Sequence, residues 1–129
     1  MSRAIQPGGW ARPSGYSNGI AARGEMLFVA GQIGWNERQE FESDDFAQQA
    51  ERALQNVLKV VAAAGGSAQN VTRLTWYVVD KSEYAAAAKA VGAAYRRLFG
   101  AHYPAMTLVQ VGALLEDRAK VEIEATAVL

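Results

Sequence analysis

A chain without cysteine and with a single histidine, His102, holds few groups able to do covalent or acid–base chemistry. Thiolate nucleophiles, disulfides and Cys-ligated metals are excluded, and a multi-His metal site cannot form within one subunit. No metal site is expected. Carboxylate and phenol chemistry remain. Residues 120–128 alternate charged and apolar side chains, so Lys120, Glu122 and Glu124 share one side of a strand by its period of two. A partly buried carboxylate with a raised pKa can position an attacking water or shuttle a proton. Tyr16, within Gly15-Tyr16-Ser17-Asn18-Gly19, offers a hydroxyl that can orient a water or a substrate. Each has a plainer reading beside the chemical one: a solvated strand face for Glu122, a packing aromatic at a strand edge for Tyr16. His102 precedes Tyr103-Pro104 in a turn and reads as a surface residue.

The elements that must position these groups follow from periodicity. The first 15 residues hold three Gly and two Pro without a period and read as an irregular arm. Residues 17–23 and 26–30 read as strands joined by a two-residue turn at Gly24-Glu25. The second of these strands is apolar on both faces. Residues 35–43 are polar and make a loop, after which Ser43 or Asp44 can cap a helix. Phe46, Ala50, Leu54, Val57, Leu58 and Val61 recur at steps of three and four, so that helix runs to about Ala64 and stops at Gly65-Gly66. Residues 71–79 form a strand rich in β-branched and aromatic side chains, with Trp76 read as core or interface. Ser82 can cap a second helix, striped by Tyr84, Ala88, Val91, Tyr95 and Leu98 and ended at Gly100. Residues 107–113 and 120–128 are the last strands.

The order β-β-α-β-α-β-β predicts an α+β fold in which two helices cover one face of one sheet, as a single domain over residues 1–129. Two helices cannot cover both faces, yet residues 26–30 are apolar on both. The uncovered face calls for another subunit.

Composition limits the partners. Half of the 129 residues are apolar, and thirteen Lys+Arg balance thirteen Asp+Glu. No net charge draws the chain to nucleic acid or an acidic membrane, and no apolar run reaches the roughly 18–20 residues of a span. Arg96-Arg97 complements a helix C-terminus and needs no nucleic-acid role. A soluble, cytoplasmic protein is expected.

Four segments resemble the RidA/YjgF family of small trimeric deaminases, also called endoribonuclease L-PSP-like. They are Gly15-Tyr16-Ser17-Asn18-Gly19; Leu27-Phe28-Val29-Ala30-Gly31-Gln32-Ile33; Tyr103-Pro104-Ala105-Met106-Thr107-Leu108-Val109-Gln110-Val111; and Val121-Glu122-Ile123-Glu124-Ala125. Their order and spacing run from Tyr16 to Val128. The resemblance implies a chorismate-mutase-like fold, a homotrimer with ligand clefts between subunits, and hydrolysis of enamines and imines to carbonyl compounds and ammonia without a cofactor. It places Tyr16 and Glu122 as catalytic, with Gly31, Met106 and Leu108 at the substrate.

Met106 stands where the family has an arginine. An arginine fork holds a carboxylate through two charge-assisted hydrogen bonds, and methionine has no donor. The resemblance therefore implies a substrate other than simple 2-imino carboxylates, or a replacement cation, for which Arg118, Arg12 and His102 are the candidates. Two alternatives stand beside the deaminase: a non-catalytic trimer that binds a small molecule in the same clefts, and a ribonuclease or translation inhibitor. The last is disfavoured by zero net charge and the lack of a basic stripe.

Overall fold

The computed structural model describes residues 2–129. Its elements are β1 (Ser2–Ile5), β2 (Gly19–Ala22), β3 (Met26–Ile33), α1 (Phe46–Ala63), β4 (Val71–Val78), α2 (Lys81–Ala86), α3 (Ala88–Phe99), β5 (Ala105–Gln110) and β6 (Val121–Val128). The fold is α+β. A four-stranded sheet has the order β3-β6-β4-β5, with β4 and β5 parallel and the other pairs antiparallel. β1 and β2 pair as a separate ribbon.

Helix α1 forms where the 3.6-residue stripe places it, with Phe46, Ala50, Ala53, Leu54, Val57 and Val61 buried. Its cap is Asp45, whose carboxylate accepts the Gln48 amide at 3.0 Å, rather than Ser43 or Asp44. Gly65, at φ +90°, ends it. The Gly65 amide donates to the Ala62 carbonyl and the Gly66 amide to the Val61 carbonyl, both at 2.9 Å, which satisfies the last turn.

Leu74, Trp76 and Val78 of β4 meet Val121, Ile123, Ala125 and Ala127 of β6 beneath α1 and α3. Gln49 is the polar exception. It is 1% exposed, donates to the Ser43 and Arg118 carbonyls at 3.0 Å each, and accepts the Lys120 amide at 2.9 Å. Every hydrogen-bonding function of that amide oxygen and nitrogen is directed at backbone, so it ties the entry of β6 to α1 at little desolvation cost.

Four expectations are corrected. Residues 2–5 are not irregular: they are β1, paired residue by residue with β2. No hairpin joins β2 to β3. Glu25 instead exchanges backbone hydrogen bonds with Leu129, and Gly24, at φ +149°, presses against the Leu129 carbonyl where a Cβ would collide. The second helix is two, broken at Ala87 and capped by Asp80, whose side chain accepts the Ser82 amide. The strand expected at 107–113 runs Ala105–Gln110, because parallel pairing with β4 covers that span. Among the described residues, no helix is long and apolar enough to cross a membrane.

Candidate active site

The period of two sends Glu122, Glu124 and Thr126 of β6 to the face that the helices leave open. In register, Glu122 lies opposite Tyr77 of β4, and Glu124 opposite Thr75. On the other side, the β3–β6 pairing slips between Val29 and Gln32, so Ala30 and Gly31 bulge against the single residue Glu124. Gly31 then meets the Glu122 side chain so closely that any Cβ would collide with the carboxylate. A glycine is required there by contact, not by backbone torsion.

The two glutamates differ. Glu124 accepts the Tyr77 hydroxyl at 3.1 Å, and that bond, with partial burial and the nearby negative charge, pushes the Tyr77 pKa up while Arg73 opposes it. Tyr77 is a neutral donor at pH 7. Among the described residues the Glu122 carboxylate accepts no hydrogen bond, so it is free to take a proton or hold a water.

Tyr16 is held at a different place. The Ser17 amide donates to the Pro104 carbonyl at 3.1 Å and the Ser17 hydroxyl to the Tyr103 carbonyl at 2.6 Å, fastening this segment beside the start of β5. Tyr16, 37% exposed, borders two grooves. One, of about 550 Å³, also holds Trp10, Arg12 and Tyr103. The other, of about 300 Å³, holds Arg73, Met106 and Thr107. Met106 lies opposite Leu74, and Leu108 opposite Trp76, both half-buried against the core.

The expected residues therefore form two groups in one chain. Gly31 and Glu122 touch on the open face; Tyr16 and Met106 share a groove at the start of β5. Leu74 of β4 lies between Met106 and Ala125 of β6, and Glu122 is three residues further along β6 on the other face.

The structure also sorts the cations. Arg118 donates to Asp44 at 3.0 Å and lies over the Phe41 ring, 5.3 Å from its centroid. His102 is half-buried rather than on the surface, with Nε2 2.7 Å from the Val71 carbonyl, an acceptor that requires the proton on Nε2. Arg12 borders a Tyr16 groove. Arg73, which borders the other, was not singled out from sequence, although a lone charge within the otherwise apolar and hydroxyl-bearing strand 71–79 marks a face turned from the core.

The chain has relatives. The family model described as endoribonuclease L-PSP matches residues 10–129. The 2-iminobutanoate/2-iminopropanoate deaminase of Escherichia coli K12 is 36% identical over 108 residues, covering 81% of this chain and 80% of the relative. A RutC family protein of Pyrococcus horikoshii is 35% identical over 113 residues, covering 87% and 85%. Among solved structures, YyfB of Yersinia pestis, of the Rid protein family, superposes with a TM-score of 0.88 at 33% identity over 99% of this chain and 98% of that one. E. coli TdcF with bound serine gives a TM-score of 0.73 at 31% identity, covering 98% of each chain. A family-model match over nearly the whole length, a relative 36% identical over most of the chain and a solved structure superposing over 99% of it establish that the chain belongs to the RidA/YjgF, or endoribonuclease L-PSP, family.

Proposed function

We propose that the chain is a cofactor-independent enamine/imine deaminase acting on substrates other than simple 2-imino carboxylates, and that it works as a homotrimer with its clefts between subunits. The observation that carries this reading is the Gly31–Glu122 contact: a carboxylate without a hydrogen-bond partner among the described residues, laid against a glycine on the open face. Water adds to the imine carbon while Glu122 takes its proton and passes it to the nitrogen, giving a carbinolamine; the C–N bond then breaks as the carbinolamine hydroxyl gives its proton, through Glu122, to the departing nitrogen and the C=O bond forms. Imine plus water thus yields carbonyl plus ammonia. Tyr16 orients the water or substrate through its hydroxyl.

A second subunit is needed on two counts. Tyr16 and Glu122 stand apart within one chain, so a neighbouring copy would bring them to one cleft. The open face also exposes Met26 (55%), Phe28 (72%) and Val109 (41%), apolar surface that calls for cover. The relatives named as deaminases support the class of reaction. Met106, a thioether without a donor, supports the limit on substrate.

Ammonia release from enamine substrates tests the reading. Glu122→Gln, nearly isosteric, should lower the rate by about 10²–10⁴-fold with the fold intact, as general acid–base groups do. An unchanged rate removes Glu122 from the mechanism, and no release by the natural chain leaves a binding protein. For the limit on substrate, pyruvate should bind weakly to the natural chain and roughly ten- to a hundredfold more tightly to Met106→Arg, through a charge-assisted pair. Tight binding to the natural chain would instead make Arg12 or Arg73 the carboxylate's partner.

A further inference from the structure

Residues 6–18 connect β1 to β2, and the two ends of this arm meet where Ile5 pairs with Gly19. One side chain ties the arm together. Gln6 donates through Nε2 to the Trp10 and Ala11 carbonyls at 3.3 and 3.2 Å, and its Oε1 accepts from the Asn18 side-chain amide at 2.6 Å. A loop with close ends, held by its own side chains, keeps a defined shape. It sets Trp10 and Arg12 along the groove of about 550 Å³ that Tyr16 and Tyr103 also line.

The chemistry of that groove favours an anion with an apolar body. Gln6, Ser17 and Asn18 are committed to hydrogen bonds within the chain. The polar groups left over are the Arg12 guanidinium, the Trp10 indole N–H and the Tyr16 and Tyr103 hydroxyls, all of them donors at pH 7. No acidic residue lines the groove, and Arg12 forms no ion pair among the described residues. Exposed Trp10, and Tyr103 stacked on Tyr95 at 5.8 Å between centroids, add flat apolar surface. The volume suits a ligand larger than pyruvate. Met106 lines only the other Tyr16 groove, in which Arg12 has no part.

We propose that Trp10 and Arg12 set substrate specificity, and that the substrate is an aromatic enamine or imine whose carboxylate is separated from the reacting carbon by the ring. The reacting carbon lies at Tyr16, the ring against Trp10 and Tyr103, and the carboxylate on Arg12. A carboxylate carried on the reacting carbon itself would meet Met106, which has no donor; one held across a ring reaches the other groove. The inference rests on the deaminase reading for the role of Tyr16 and adds the substrate class to it.

The probe is para-acetylbenzoate, a ketone with its carboxylate across the ring. It is titrated into the full chain by calorimetry beside para-methylacetophenone, which lacks the charge, and pyruvate, which lacks the ring. Arg12→Gln should weaken para-acetylbenzoate roughly tenfold and leave the other two unchanged, and Arg12→Lys should recover most of that loss. Trp10→Ala should weaken both aromatic ketones about fivefold. Both residues are exposed, so neither change threatens the fold. The proposal is overturned if para-acetylbenzoate fails to bind at millimolar concentration, or if Arg12→Gln leaves its affinity unchanged or weakens para-methylacetophenone as much. It is equally overturned if Trp10→Ala changes neither ketone, or if Arg73→Gln rather than Arg12→Gln removes the preference for charge. Ammonia release from uncharged enamines, read on the same samples, separates the two readings. Release without any Arg12 dependence of binding sinks this inference alone, whereas Arg12-dependent binding without release keeps the ligand and removes the reaction.

Discussion

Strand β6 carries both faces of the four-stranded sheet, and they were built by different physics. Val121, Ile123, Ala125 and Ala127 are at most 6% exposed, sealed under α1 and α3, and any of them is interchangeable with an apolar residue of like volume. Glu122, Glu124 and Thr126, alternating with them, stay half-buried beside Tyr77, Arg73 and the exposed Phe28. Area decides the first face; hydrogen-bond and charge geometry decide the second. The bulge at Ala30–Gly31 shows the difference most clearly. On the helix side it would cost a ladder pair for no return, whereas on the open side it delivers a glycine to the Glu122 carboxylate.

If the helix-covered face is held by area, truncating it must cost most. Leu54 is fully buried, so Leu54→Ala should destabilise the chain by about 2–5 kcal/mol in urea unfolding. A loss below about 1 kcal/mol would mean that the core closes around the gap and is far less specific than its packing implies.

The open face should respond through assembly instead. Phe28, 72% exposed in the single chain, would bury up to about 1.5–3 kcal/mol of apolar contact per copy in a trimer. Native mass measurement of the natural protein should give three chains of 13.9 kDa, and Phe28→Asp should shift that toward one chain while circular dichroism stays unchanged. A natural protein that is already a monomer at micromolar concentration removes the between-subunit cleft, and with it the reason for the exposed patch.

The smallest effect belongs to a position on neither face. Asp45→Ala removes the cap of α1 and should cost about 1 kcal/mol, read as a modest fall in Tm with no change in mass or in ammonia release. A change in ammonia release would show that the start of α1, near the Ser43–Gln49–Arg118 knot, is coupled to the site.

Much of this was legible from local pattern. The stripe of α1, its Gly65-Gly66 stop, the alternation of β6 and the burial of Trp76 are all consequences of period and of which side chains leave water, and such signals lie within a few neighbouring residues. The family motifs added the positions of Tyr16, Gly31, Met106 and Glu122. Chain partners were not legible. β1 lacks any alternation that would distinguish it from an arm, because its pairing with β2 is made by backbone groups that every residue carries. The absent β2–β3 hairpin has the same cause: Gly24-Glu25 fits a turn locally, but Leu129, 104 residues on from Glu25, competes for the same amide and carbonyl.

By itself, then, the sequence determined most of the helices and strands, β1 and the break at Ala87 excepted, which faces are apolar, and that no thiol or multi-His chemistry is available within one chain. Tertiary structure alone decided that Gly31 abuts Glu122 and Glu124 is spent on Tyr77. It also decided that Arg118 and His102 are engaged elsewhere while Arg12 and Arg73 border Tyr16, and that the buried Trp76 N–H meets no acceptor among the described residues. The physical reason is range. Periodicity records each residue's own transfer from water, whereas a hydrogen bond or a close contact depends on two residues brought together across the sheet, and which two is set only when the strands choose their partners.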